Sequence, residues 1–404
     1  MRTILSAATA CILLAFAISA SADTCGWRGD GSGVYPAADP PTSWDYGKKA
    51  GILWSVKVGT SFSAPVPSGD RVFLTVEDDK LLCIDVKTHK ALWEKANPVE
   101  ELHKAANPEE EVKKAEAGFA TASPVTDGKC VWASYGTGVV VCYDFDGNRK
   151  WTVWLEYRPQ SEYGRAASPL LVDGKLIVTM GGLVALDPAT GKKLWYQDKA
   201  SEGFGTPVAA KIGDDWVVIT GRGDVVKAAD GALVEASISS TGYGSPVVKD
   251  GVAYFVDSTT EAIKLPEKLG AKNVFKKLWT ADIDGEVFSS PVVYEGIVYG
   301  VSNFGYLMAF DAQKGDVIWK KKVGIGSAAP EEGAATANIY PSLAVAGGKL
   351  FLSNDRGETL VLQPGKEYKE LSKNEAEEGS GASAAFDGKF IYQRGGEMLY
   401  CIGK

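Results

Sequence analysis

Histidine is scarce in this 404-residue chain, and cysteine is poorly placed for metal chemistry. The two histidines, His89 and His103, and the six cysteines show neither the Cys-x-x-Cys-His of covalent haem attachment nor the paired Cys/His spacing of a zinc site. No two cysteines are adjacent. No long Lys/Arg run occurs, and a net charge of −8 with a pI near 5.1 argues against a nucleic-acid partner, whose phosphates demand a basic surface. Beyond the N-terminus no stretch of about 18 apolar residues appears, so no membrane span is expected.

At the N-terminus, Arg2 precedes the apolar run Ile12–Ile18, and Ala20-Ser21-Ala22 follows as a small-x-small cleavage site. Residues 1–22 therefore read as a signal peptide, with residues 23–404 exported to the periplasm or secreted. Asp23 before Cys25 does not suit a lipidated cysteine. Five cysteines remain after cleavage, an odd number, so at least one is free. Cys83, Cys142 and Cys401 fall at one repeat position, held elsewhere by Ala185 and Ala309, and read as small core residues. Cys130 and Cys142 fall where a hairpin would bring them face to face, without requiring a bond.

What the chain has in abundance is self-similarity. A unit opens on a small residue, usually followed by Pro. It continues through two apolar strands, a third ending near Asp and a fourth ending in Trp. Eight starts are found: Ala64-Pro65, Ser123-Pro124, Ser168-Pro169, Thr206-Pro207, Ser245-Pro246, Ser290-Pro291, Pro341-Ser342 and Ser383-Ala384. Four short strands per unit, repeated eight times, give an all-β fold, an eight-bladed β-propeller of four-stranded blades. The last unit ends at Lys404 without a fourth strand, while Ile52–Val56 resembles a fourth strand with no blade before it. The N-terminal strand is therefore expected to close the last blade.

Six of the eleven tryptophans, Trp54, Trp93, Trp151, Trp195, Trp279 and Trp319, occupy the fourth-strand position and read as packing between blades. Turns such as Asp187-Pro188-Ala189-Thr190-Gly191 precede them, Asp bonding local N–H groups and Gly permitting positive φ. Units four, five and seven are degraded, with Val234 in place of Trp after Gly231.

The stretch Leu183-Val184-Ala185-Leu186-Asp187-Pro188-Ala189-Thr190-Gly191-Lys192-Lys193-Leu194-Trp195 resembles the repeat of exported pyrroloquinoline-quinone-like (PQQ-like) β-propeller proteins. The opening Trp27-Arg28-Gly29-Asp30-Gly31 is similar to an exported planctomycete-type subgroup, and the BamB-like component of outer-membrane β-barrel assembly is another relative. The resemblance covers nearly all of the mature chain. It implies a non-catalytic scaffold in the cell envelope, binding a protein or peptide partner, with no cofactor or metal and a monomeric state. The alternative it carries is a PQQ-dependent quinoprotein oxidoreductase. Those dehydrogenases bear a vicinal Cys pair, a calcium held by carboxylate and Asn, and an Asp base; no Cys-Cys occurs here.

In a propeller the connections entering the first strands share one face with the loops joining second to third strands. Three residues before the Pro-equivalent stand Phe62, Phe204, Tyr243 and Phe288, with Tyr340 beside the position and Thr121, Ala166 and Gly381 holding it elsewhere. These rings either line the channel mouth as a binding collar or plug it as packing. Polar groups on the same face, Asp78-Asp79, Arg165, Arg222-Gly223-Asp224, Asn303-Phe304, Asp355-Arg356 and Arg394, are either interface anchors or solvated turn residues; Arg165, Arg222 and Arg356 are the candidate anchors. One insertion, residues 96–118, carries Asn97-Pro98 and Asn107-Pro108, two helix starts with Asn as N-cap and Pro at the first helical position. It is expected to cap that face.

Overall fold

The computed structural model describes residues 25–100, 102, 118–155, 164–326 and 337–404; the signal peptide expected at residues 1–22 and the second helix expected near Asn107 lie outside them. Eight sheets form the eight blades of a propeller, each built on four antiparallel strands that are consecutive in sequence in all blades but the last. Their inner strands, Val66–Ser68, Val125–Thr126, Leu170–Val172, Val208–Ile212, Val247–Lys249, Val292–Tyr294, Ala344–Ala346 and Ala385–Asp387, ring a central channel. In blade one the chain then steps outward through Arg71–Val76 and Lys80–Asp85 to Lys90–Ala96 at the rim.

The middle strands are near-continuous apolar runs because both of their faces are covered by neighbouring blades. The core accordingly lies between blades. Val72, Leu74 and Val76 of blade one pack on Tyr392, Leu399 and Cys401 of blade eight. Phe73, Leu81 and Cys83, from the same two middle strands, pack on Val131, Val141 and Tyr143 of blade two.

The repeated tryptophans join the blades. The indoles of Trp93, Trp151, Trp195, Trp279 and Trp319 donate to the carbonyls of Phe145, Pro188, Ala228, Ala312 and Gly365, each in the following blade, at 2.9–3.0 Å. The turn glycine meets the ring face: a Cβ on Gly191, which sits at φ +72°, would lie 2.7 Å from Trp151. That glycine is thus required twice, for its backbone and for the ring above it. In blade one His89 holds the same turn position, at φ +58°, and stacks on Trp54 with centroids 5.3 Å apart. The small residues Cys83, Cys142, Ala185, Ala309 and Cys401 lie directly across the sheet from Trp93, Trp151, Trp195, Trp319 and Trp54. Only a small side chain fits opposite the ring. The three cysteines are buried and unbridged, and burial pushes the Cys83 and Cys401 thiols up to about 12. Cys130 and Cys142 are also unbridged and do not face each other as expected: the register sets Cys130 opposite Asp144 and Cys142 opposite Trp132, leaving the two thiols diagonal across the hairpin.

The small residue opening each unit also has a structural reason. Its hydroxyl accepts the backbone N–H of the same position in the preceding blade: Ala64 donates to Ser123, Ser123 to Ser168, Ser168 to Thr206, Ser245 to Ser290, Ser290 to Ser342 and Ser342 to Ser383, all at 2.9–3.0 Å. This series corrects the seventh start by one residue, to Ser342-Leu343, because Ser342 rather than Pro341 takes part. The misreading came from aligning on Pro, which cannot donate this bond.

Ile52–Lys57 pairs antiparallel with Met398–Ile402, Trp54 opposite Cys401, so the N-terminal strand completes blade eight. Upstream of it the chain enters the channel. Val34–Tyr35 pairs in parallel with the inner strand of blade seven, and Cys25 bridges to Thr126 on that of blade two. Residues 25–57 therefore hold the ring both from the lumen and from the rim.

In the insertion Glu100 and Leu102 are helical, as expected, but Asn97-Pro98 lies outside the helix and Asn97 is not its cap. The Asn97 amide donates to Asp79 O, Lys95 O and Tyr135 Oη, and its oxygen accepts from Tyr143 Oη at 2.6 Å. It is the centre of a buried network rather than a helix cap, because Tyr135 and Tyr143 of blade two reach it across the seam. Val99 and Leu102 pack into the same inter-blade core.

Candidate functional site

Backbone bonds place the two loop classes on one face: Gly136 N–H donates to Phe119 O, Asn303 N–H to Glu286 O, and Thr241 N–H to Gly221 O. On that face Phe204 and Tyr243 stack with centroids 5.5 Å apart, Tyr243 meets Phe288 edge-on at 4.8 Å, and Phe288 meets Tyr340 at 5.2 Å. With the seventh unit re-registered, Tyr340 holds the same repeat position as the other three. Blade eight has Gly381 there, and a Cβ at Gly381 would lie 2.6 Å from the Phe62 ring and 3.5 Å from Tyr340. Phe62 therefore reaches across blade eight toward Tyr340. The five rings form an arc around the channel mouth from blade four to blade one, open where blades two and three carry Thr121 and Ala166.

The arc is partly exposed. Phe62, Tyr243 and Tyr340 each show 40–44% of their surface, and Phe204 and Phe288 are half-buried. Geometry explains the spacing: the residue after four of the rings is small, Ser63, Gly205, Gly244 or Ser289, because the chain passes close to the next blade, and a Cβ on Gly205 would lie 2.2 Å from Gly244 O.

The three arginines separate. Arg222 and Arg356 are exposed at loop tips of blades four and seven. Arg165 is buried, its Nε 3.4 Å from Glu202 Oε1, and Glu202 also accepts the Gly181 N–H. Arg165 thus ties loops of blades two to four together beneath the face and is not a surface anchor. The acid and amide residues of these loops likewise serve backbone: Asp224 accepts from Ser201 and Ser237 N–H, Asn303 from Ile339 N–H and Asp355 from Asn338 N–H. Arg394 is buried between blades eight and one, donating to Gly59 O, and desolvation lowers its pKa to about 10.

One residue of the channel had no role in the sequence reading. Arg28 Nη2 donates to Pro291 O at 2.6 Å and Leu343 O at 2.7 Å, the Pro-equivalent carbonyls of blades six and seven. The guanidinium is buried, desolvation lowering its pKa to about 10, and it lies 5.2 Å from the Trp27 ring. The signal that pointed to it is an isolated Arg in the Gly-rich run Gly26–Gly33, where chain flexibility allows threading of a narrow channel.

A family model described as outer membrane protein assembly factor BamB matches residues 45–203, 179–273 and 276–402. The chain belongs to this family. It is similar to the outer membrane protein assembly factor BamB of Yersinia pestis, 24% identical over 287 residues, which are 67% of this chain and 61% of that protein. The match thus spans less than two thirds of the relative. BamB from Moraxella catarrhalis superposes with a TM-score of 0.61 at 14% identity, covering 87% of this chain and 97% of that one. A europium-containing methanol dehydrogenase gives 0.63 at 12% identity, covering 91% and 89%. At these identities both structural likenesses speak for the fold.

The chain's own Arg28 and Val34–Tyr35 enter the channel beneath the collar, and among the described residues no three His, Cys, Asp or Glu side chains gather as a metal site. No helix among them is long and apolar enough to cross a membrane.

Proposed function

We propose that this BamB-family propeller is an exported, non-catalytic scaffold of the cell envelope. It acts in outer-membrane protein assembly and docks a protein partner on the aromatic arc. The observation that carries this reading is the convergence of Phe62, Phe204, Tyr243, Phe288 and Tyr340, distant in sequence, into one partly exposed surface. A fold of this kind serves many functions, so the site and not the fold must support the role. Aromatic rings flanked by Arg222 and Arg356 have the composition of interface anchors, and the family's description supplies the process.

The test is genetic and biochemical together. In a strain lacking the chain, outer-membrane protein content should fall. The parent gene should restore it, and Phe204→Ala/Tyr243→Ala should not, while purifying with an unchanged melting temperature. Full complementation by the double variant removes the arc from the function. Dye reduction by the purified protein with added quinone and calcium would instead establish the oxidoreductase alternative.

A further inference from the structure

At the seam between blades four and five the inter-blade devices lapse together. By strand register Glu235, opposite Val225, and not Val234 as the repeat suggested, stands where six other blades carry Trp, and Ser245 Oγ has no hydrogen-bond partner. The outer strand of blade four is only Leu233–Glu235. Leu269 and Phe275, from the long connection before blade five's outer strand, pack near Val234. They leave beside them a groove of about 500 Å³, walled by Glu235–Ile238 and Lys272–Phe275. Val274 is 62% exposed there, the highest value among the large apolar side chains described.

The surrounding charge runs against that of the whole molecule. Between residues 264 and 277 stand Lys264, Lys268, Lys272, Lys276 and Lys277 against the single acid Glu267, in a protein of net charge −8, while the groove's own walls carry Lys272 and one acid, Glu235. All five lysines are exposed. Lys277 pairs with Glu261, whereas Lys268, Lys272 and Lys276 make no ion pair among the described residues.

We infer that this rim groove is a docking site for an extended acidic segment of a protein partner, with one apolar side chain seated on Val274. Three features select that occupant. The lysines supply charge complementarity. Leu233–Glu235 pairs on one side only, with Val225–Lys227, so its outer backbone edge is open to an added strand. The surface is concave, which suits a chain laid into it and not a lipid surface, where apolar groups must protrude. The site stands on the rim, and its test does not depend on the aromatic arc.

The probe is a labelled peptide of about ten residues alternating Glu with Val, capped at both ends, with a Lys/Val peptide as control. Anisotropy titration of the full-length mature protein should show binding of the acidic peptide alone, weakening as salt rises. Val274→Glu and Lys272→Glu, made separately at exposed positions, should each weaken it about tenfold without shifting the melting temperature. Phe204→Ala/Tyr243→Ala should leave this binding intact. Equal binding of both peptides, unchanged affinity in both variants, or binding to phosphatidylglycerol vesicles in place of the peptide would each overturn the inference.

Discussion

The seams on the two sides of blade four differ more than the blades themselves. Between blades three and four, Trp195 covers Gly231 and donates to Ala228 O, and the Thr206 hydroxyl accepts the Ser168 N–H. Between blades four and five, Glu235 replaces the ring, Ser245 Oγ is unpartnered, and the rim opens into a groove. Both seams keep an apolar centre: Val218 and Val226 against Ile177 and Ala185 on one side, Val217 and Ile219 against Phe255 and Ile263 on the other. The ring is therefore held by its inter-blade cores. The Trp and hydroxyl contacts are additions, and where they are absent the surface is released for another use.

The comparison extends to closure, and the largest expected effect lies there. Deleting residues 25–57 removes the outer strand of blade eight, the lumen strand on blade seven and Arg28 together, leaving the edge at Met398–Ile402 unpaired. The truncated protein should aggregate or lose its cooperative thermal transition. A monomeric product with the parent's melting curve would mean that neither end of this segment is needed to shut the ring.

Within the ring the two seams should respond unequally. Trp195→Ala should cost about 3 kcal/mol, the low end for a large aromatic, because the ring is half-buried. Val234→Ala should cost about 1 kcal/mol. Urea titrations monitored by circular dichroism measure both, and equal losses would show that the tryptophan is no lock.

The smallest effect separates the hydroxyls. Ser290→Ala loses the acceptor for Ser245 N–H in a buried site and should cost about 1 kcal/mol. Ser245→Ala removes a hydroxyl with no partner and should be close to neutral or stabilising. Matching destabilisation at both positions would show that the hydroxyl series contributes nothing specific.

Much of the site was legible because position within a repeat translates directly into position around the ring. Phe62, Phe204, Tyr243 and Phe288 share one offset from the small residue, and strand pairing that repeats blade by blade brings such residues to one height at the channel mouth. Tyr340 stood one place off until the Ser290-to-Ser342 bond gave the register, since a proline in the wrong slot mimics the start of a unit. Arg165 read as a surface anchor because charge normally stays in water, and only its approach to Glu202 reveals that it lies beneath the face.

By itself the sequence determined the number of blades, their order, the tryptophan seams and the return of the N-terminal strand to the last blade. Each is a local pattern repeated often enough to be read without knowing what it touches. The tertiary structure alone decided that Arg28 and Val34–Tyr35 enter the channel, that Asn97 organises a buried network, and that the seam beside Glu235 opens into a groove flanked by lysines. These depend on single contacts between segments tens to hundreds of residues apart. A contact made once leaves no period in the sequence; its energy is realised only after the ring has closed around it.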